Sequence, residues 1–280
     1  MKREIKKILQ NFGIFPKKSL GQRFLINEKI DEIVVSALDL SEKDIVVEVG
    51  AGLGFLTEKL AERAGKVIAV EKDEKLCQIL KERLKEKSNI EIKTGDILKF
   101  SPKKEGLFPK KYKLTGNLPF SIASYVIRKF LEEETPPKLA VVMVQKEVAF
   151  RICAKPPKMN LLALAVQLHS TPKIVKIVKN YNFWPKPKVD SAILKLEDIQ
   201  KEKVTSKERE LFFKIAKIAF SSPRKKIKNN LKKLWGEKTE EILKKGNIDP
   251  EVRASEISVK EWKSFISFLA NFYEFQKISS

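Results

Sequence analysis

The chain has 280 residues, 57 Lys and Arg against 36 Asp and Glu, and a net charge of +21. An apolar fraction of 42% supports a buried core and excludes a disordered basic tail. Two distant cysteines and a single histidine, His169, exclude a disulfide scaffold, a cysteine-rich zinc site and most His-based chemistry, and no run of about 18 apolar residues marks a membrane span.

Met1 to Phe15 lacks the apolar core and small-residue cleavage site of a secretory signal, which with the reduced cysteines predicts a cytoplasmic protein. From Asp44 onward, short apolar runs alternate with amphipathic stretches. Strands are predicted at 45–49, 67–70, 90–93, 112–115 and 139–144, with helices at 54–63, 73–87, 121–133 and 160–169. Such alternation builds right-handed βαβ units and a parallel sheet covered on both faces. Residues 174–179 and 189–196 alternate apolar and polar side chains, as a closing antiparallel pair does. Ile199 to Ser206 reads as a linker. Beyond it only helical periodicity remains, at 207–219, 223–235, 238–245 and 258–273, with Pro223 at a helix start, Gly236 and Gly246 at helix stops, and Ser258 with Glu261 as a capping box. The expectation is a catalytic domain over 1–199 and a small all-helical domain over 200–280.

Charge is unevenly spread. Residues 41–100 carry 12 basic and 12 acidic side chains, whereas 101–200 carry +10 and 201–280 carry +8. A polyanionic partner accounts for this better than solubility, because Lys and Arg contacts to phosphate supply most sequence-independent affinity for nucleic acid.

The first predicted strand ends in Glu48-Val49-Gly50-Ala51-Gly52-Leu53-Gly54. Glycines there permit a tight turn and close approach of a ligand at the carboxyl end of the sheet. Phe55 stands where the dinucleotide fingerprint needs glycine. Gly50 and Gly52, Glu71 at the end of the second strand and Asp96 after the third suit S-adenosylmethionine instead. The Glu71 carboxylate is placed to accept from ribose hydroxyls, and Asp96 from the adenine amino group. The fourth strand ends in Gly116-Asn117-Leu118-Pro119-Phe120. The Asn117 side-chain oxygen and the Leu118 carbonyl can each accept one N–H of an exocyclic amine, holding its nitrogen in line with a sulfonium methyl. Pro119 fixes the turn, and Phe120 can stack on the base.

On these residues the chain resembles the rRNA adenine N6,N6-dimethyltransferases of the KsgA (RsmA) type, over about Lys17 to Trp262. Lys18-Ser19-Leu20-Gly21-Gln22-Arg23-Phe24-Leu25 resembles the N-terminal cofactor motif, with Arg23 where the family has Asn or His. Phe183-Trp184-Pro185-Lys186-Pro187-Lys188-Val189-Asp190-Ser191 is similar to a second family loop, and Arg253 to Ser258 to a third element. The resemblance implies a class I S-adenosylmethionine-dependent methyltransferase, Rossmann-like, with a mostly parallel seven-stranded sheet. It implies four methyl groups passed from S-adenosyl-L-methionine to two adjacent adenosines in the 3′-terminal hairpin of 16S rRNA, on a pre-ribosomal small subunit, by a monomer that uses no metal. Carried over, the cofactor contacts are Gln22, Arg23, Leu25, Gly50, Gly52, Glu71, Asp96, Ile97 and Asn117. Phe183 would flank the target adenine opposite Phe120. Lys186, Lys188 and the basic segment Arg224, Lys225, Lys226 and Lys228 would contact RNA.

Three rivals stand beside this reading. The related macrolide-resistance methyltransferases share the N-terminal motifs but modify one adenosine of large-subunit rRNA. A non-catalytic RNA-binding factor on the same fold is opposed by the intact Asn117 to Phe120. A dehydrogenase is opposed by Phe55. His169 and both cysteines read as packing residues.

Overall fold

Apolar β-branched runs too short for helices form the strands of the central sheet, and the stretches between them bury one helical face each. A computed structural model describes residues 1–17, 20–199 and 206–278. Helix α1 spans Lys2–Asn11, β1 Phe24–Leu25 and α2 Glu28–Leu38; β2 (Ile45–Val49), α3 (Phe55–Ala61), β3 (Lys66–Glu71), α4 (Glu74–Arg83) and β4 (Ile90–Thr94) follow. Next come β5 (Tyr112–Asn117), α5 (Ala123–Glu132), β6 (Leu139–Gln145), α6 (Lys146–Ile152), α7 (Leu161–Gln167), β7 (Thr171–Val178), β8 (Phe183–Trp184) and β9 (Ser191–Glu197). The chain closes with α8 (Ser206–Ala219), α9 (Ile227–Trp235), α10 (Thr239–Lys245) and α11 (Val259–Ile278).

The main sheet has seven strands in the order β4-β3-β2-β5-β6-β9-β7, and β9 alone runs against its neighbours. Strand order reverses between β2 and β5, which creates a crevice at their carboxyl ends. Gly116 makes the close approach there: it sits at φ +147°, and a Cβ on it would lie 2.3 Å from the Val49 carbonyl oxygen. A separate two-stranded ribbon pairs β1 with β8, Phe24 opposite Trp184 and Leu25 opposite Phe183.

The chain divides into two units. One holds Met1–Phe150 and the residues from His169 to the end of the sheet; the other holds Arg151–Leu168 with the C-terminal helices. The expected division near 199 therefore needs a correction. Residues 151–168 lie inside the expected catalytic domain by sequence, yet Met159, Ala163, Leu164 and Leu168 are buried with Phe212, Trp262 and Phe265. The apolar face of α7 joins the helical core, and the Met159 N–H donates to the Ser255 carbonyl at 3.0 Å. Of the expected linker, Ile199 to Ser206, residues 200–205 lie outside the described residues. In the helical unit the capping box is present: the Ser258 N–H donates to Glu261 Oε2 at 2.7 Å, and the Glu261 N–H to Ser258 Oγ at 3.2 Å. Pro223 does not start a helix; α9 begins at Ile227, where burial begins.

Candidate active site

Backbone at three strand ends builds the site. After β2 the chain turns through Gly50, Gly52 and Gly54, all at positive φ. Gly54 lies at φ +83°, and a Cβ on it would lie 2.7 Å from Leu80 Cδ2, so a side chain there would be strained and would displace Leu80. This turn aims the Gly52 N–H at Glu71 Oε2, 2.9 Å away. The other Glu71 oxygen accepts from the Lys72 and Asp73 N–H groups at 2.8 and 2.9 Å. Burial raises the Glu71 carboxyl above its ordinary range, against the pull of these three donors. Asp96, after β4, accepts from Lys72 Nζ at 2.8 Å and from the Leu98 N–H at 2.9 Å. The Lys72 ammonium holds it below the usual carboxylate range.

At the end of β5, Asn117 Nδ2 donates to the Arg23 carbonyl at 2.9 Å. That bond fixes the amide orientation and leaves Oδ1 as an acceptor. The Leu118 N–H is spent on the Met143 carbonyl at 3.0 Å, while no described residue donates to the Leu118 carbonyl. Two acceptors on consecutive residues thus remain unclaimed by the described residues.

A cleft of about 280 Å³ occupies this crevice. Gln22, Arg23, Gly50, Gly52, Glu71, Asp96 and Ile97 line it, and so do Asn117, Leu118, Pro119 and Phe120. Ile97 is buried at its wall. Leu25 does not reach this cleft; it lines a smaller chamber beside it. Lys18 and Ser19 of the N-terminal motif lie outside the described residues.

Gln22 acts on protein as well as on the cleft. Its Oε1 accepts from the Lys17 N–H at 2.8 Å, and its Nε2 donates to Asp73 Oδ2 at 3.0 Å. Lys17 Nζ reaches the same Asp73 oxygen at 2.8 Å. Burial pushes the Asp73 carboxyl up, but Lys17, Gln22 and the Lys75 N–H outweigh it and hold the group below its ordinary range. The sequence reading missed Asp73 and Lys17. Asp73 also caps α4, and an acid before a helical run is all the signal the sequence offers.

Phe183, expected to flank the target adenine opposite Phe120, does not line the cleft that Phe120 lines. Phe183 is 3% exposed, packed among Ile30, Val34, Met143 and Ile193. It pairs with Leu25 in the ribbon and anchors it by this burial. The ribbon is reinforced where the Ile26 N–H meets the Asn182 carbonyl and Asn27 Nδ2 meets Asn182 Oδ1, both at 2.8 Å. Lys186 and Lys188, beyond it, are exposed.

The basic segment of the helical unit splits in two. Arg224 and Lys225 are exposed and make no ion pair with the described residues. Lys226 pairs with Glu251 at 2.5 Å; Lys228 pairs with Glu240 at 2.8 Å and also with Glu251. The latter two cations hold the start of α9 to α10 and to the turn at Glu251. Among the described residues no cluster of three or more His, Cys, Asp or Glu could hold a metal, and no helix is long and apolar enough to cross a membrane.

A seven-stranded sheet with one reversed strand, and a glycine turn, two acids and an Asn-Leu-Pro-Phe turn around its switch point, define a class I methyltransferase. Comparison with known proteins narrows this. Residues 15–271 match the family described as ribosomal RNA adenine dimethylase. The ribosomal RNA small subunit methyltransferase A of Dehalococcoides mccartyi is 41% identical over 263 residues, 93% of this chain and 90% of that protein. That of Alkaliphilus oremlandii is 39% identical, covering 96% of each. Among solved structures, a dimethyladenosine transferase from Plasmodium falciparum aligns with a TM-score of 0.75 and 28% identity over 86% of this chain and 95% of that one. The 23S rRNA methyltransferase ErmE aligns with a TM-score of 0.71 and 24% identity over 88% and 99%, a likeness of fold. The chain belongs to the ribosomal RNA adenine dimethylase family and is an rRNA adenine dimethyltransferase.

Proposed function

We propose that this enzyme converts two adjacent adenosines near the 3′ end of small-subunit rRNA to N6,N6-dimethyladenosine, with S-adenosylmethionine as donor, acting as a cytoplasmic monomer on the small subunit or its precursor. The small-subunit names of relatives near 40% identity support the substrate. The observation that carries the chemistry is the Asn117 amide, held by the Arg23 carbonyl so that its oxygen stays available.

The donor set fits the cofactor. Glu71, Asp96 and Ile97 line the cleft with the acceptors and apolar wall that a ribose and an adenine need. When bound, S-adenosylmethionine supplies a methyl group on a cationic sulfur. The chain's own residues do the positioning. Asn117 Oδ1 and the Leu118 carbonyl accept the two amine hydrogens and orient the nitrogen lone pair. Phe120 stacks on the base, and Pro119 keeps the turn rigid without adding an N–H donor. The amine nitrogen becomes cationic and acidic on gaining the methyl group and loses a proton to solvent, so no dedicated base is required. Lys186, Lys188, Arg224 and Lys225 supply phosphate contacts; Gln22 supports the cleft through Asp73. The Asn117→Ala variant tests this: kcat should fall by about 10²- to 10³-fold, with RNA affinity nearly intact. Full rate in that variant overturns the mechanism.

A further inference from the structure

Three segments meet around Asp190 at the carboxyl end of β6. The Lys146 N–H, at the start of α6, donates to the Asp190 carbonyl at 3.0 Å. The Asn180 N–H, in the turn after β7, donates to Asp190 Oδ1 at 3.0 Å, and Lys179 Nζ pairs with Oδ2 at 3.1 Å. Asp190 itself leads into β9, whose first residue, Ser191, lies opposite Gln145 of β6. Met143 of the same strand lies opposite Asn117. Three residues of extended chain span on the order of 10 Å, so the junction at Asp190 stands beside the cleft.

Two exposed rings stand at this junction. Tyr181, in the same turn as Asn180, is 66% exposed, and Phe150 is 53% exposed. Phe150 lies one helical turn beyond Lys146, whose Nζ is 5.9 Å from the ring centre. Single apolar side chains on a surface need no partner, but these rings are interleaved with cations. From Lys173 to Asp190 the chain carries five lysines and one acid, and Glu147 beside Lys146 adds one more acid. Lys146, Lys186 and Lys188 are exposed and make no ion pair with the described residues. An acidic protein surface would use the lysines alone. Rings among free cations fit a strand whose backbone is anionic and whose flat bases are unpaired. On the reading that the substrate is an rRNA hairpin, we propose that Tyr181 and Phe150 are stacking platforms for unpaired nucleotides that flank the target adenosine, with the lysines around Asp190 meeting their phosphates. Neither ring belongs to the motifs that carry the family resemblance; Phe183, which does, is buried.

The test compares two RNA probes on the full chain. Single-stranded oligoadenylate has bases free to stack; a duplex with the same number of phosphates does not. Tyr181→Ala and Phe150→Ala should each weaken oligoadenylate binding by about 5- to 100-fold and leave duplex binding nearly unchanged. Tyr181→Phe keeps the ring and should bind as wild type does. The salt dependence should not move in any of the three variants, because no phosphate contact is lost. Equal weakening of both probes assigns the rings a structural role and overturns the proposal. No change for either probe, the outcome expected if the rings meet a protein, overturns it too. Small subunits are the third probe: wild-type protein that fails to bind them contradicts the substrate reading, and the oligoadenylate measurement still decides on the rings.

Discussion

Asn117 and Arg23 are joined across the cleft by a side-chain amide donating to a backbone carbonyl at 2.9 Å. Two consequences follow. The guanidinium of Arg23 takes no part in that bond, so a departure from the family's Asn or His leaves it in place. The amide of Asn117 has only one orientation that satisfies its neighbour, and in it Oδ1 is left as an acceptor. A carboxylate at this position keeps an acceptor but loses the donor and repels the Arg23 carbonyl. Asn117→Asp should therefore lose as much kcat as Asn117→Ala, measured as single-turnover methyl transfer. An Asp variant at wild-type rate would show that the Arg23 bond is irrelevant.

Phe183 separates anchoring from stacking. Truncating a buried phenylalanine to alanine costs about 3–5 kcal/mol, so Phe183→Ala should fold with a much lower urea midpoint. Phe183→Leu refills most of the volume and should restore both stability and transfer to within a few-fold. A stable Leu variant with a large loss of kcat would return this residue to the RNA-facing role expected from its motif.

Two buried acids, Asp31 and Glu48, make stability depend on pH. Asp31 carries a folded value near 7, raised by burial, with Lys59 of α3 opposing and Glu28 and Glu32 of its own helix adding to the rise. An acid with a raised folded value is favoured in the folded state only while protonated, so stability falls as pH rises from its unfolded value near 4 through about 7. Glu48, near 8 through burial, with Thr57 lowering it and Asp31 and Glu71 raising it, extends the fall upward. Asp31→Asn removes one of these protons, so its Tm should rise relative to wild type from pH 5 to pH 8. A constant difference across that range would mean that Asp31 does not titrate there.

Much of the fold was legible in the sequence, for reasons that also explain the misses. Runs such as Val46-Val47 and Val141-Val142, buried on both faces, announced a parallel sheet, and the glycine turn marked its switch point. The two-residue strands of the β1–β8 ribbon are too short to show any period, so the inward turn of Phe183 was invisible. Asp31 lies ahead of the first predicted element, and only the packing of α2 shows that it faces inward. The segment 151–168 carries no composition signal for the core it joins. Pro223 suits a helix start, yet here it sits inside a turn in which the Lys225 N–H bonds the Ser222 carbonyl at 3.0 Å.

The same tertiary pairing divides the basic segment. Reversing the charge at Arg224 and Lys225 should weaken RNA binding and flatten its salt dependence by roughly 0.7–0.9 in log–log slope for each phosphate no longer neutralised. Lys226→Ala and Lys228→Ala remove exposed ion pairs worth about 0–1 kcal/mol each and should change the slope little. Equal slope changes from the two sets would contradict the division.

The central claim is tested most directly by mapping the methylated nucleotides. Purified enzyme, labelled S-adenosylmethionine and small subunits lacking the modification should yield label in two adjacent adenosines of the 3′-terminal hairpin, each as N6,N6-dimethyladenosine by mass spectrometry. Label in large-subunit rRNA, or at a lone adenosine, would contradict the account.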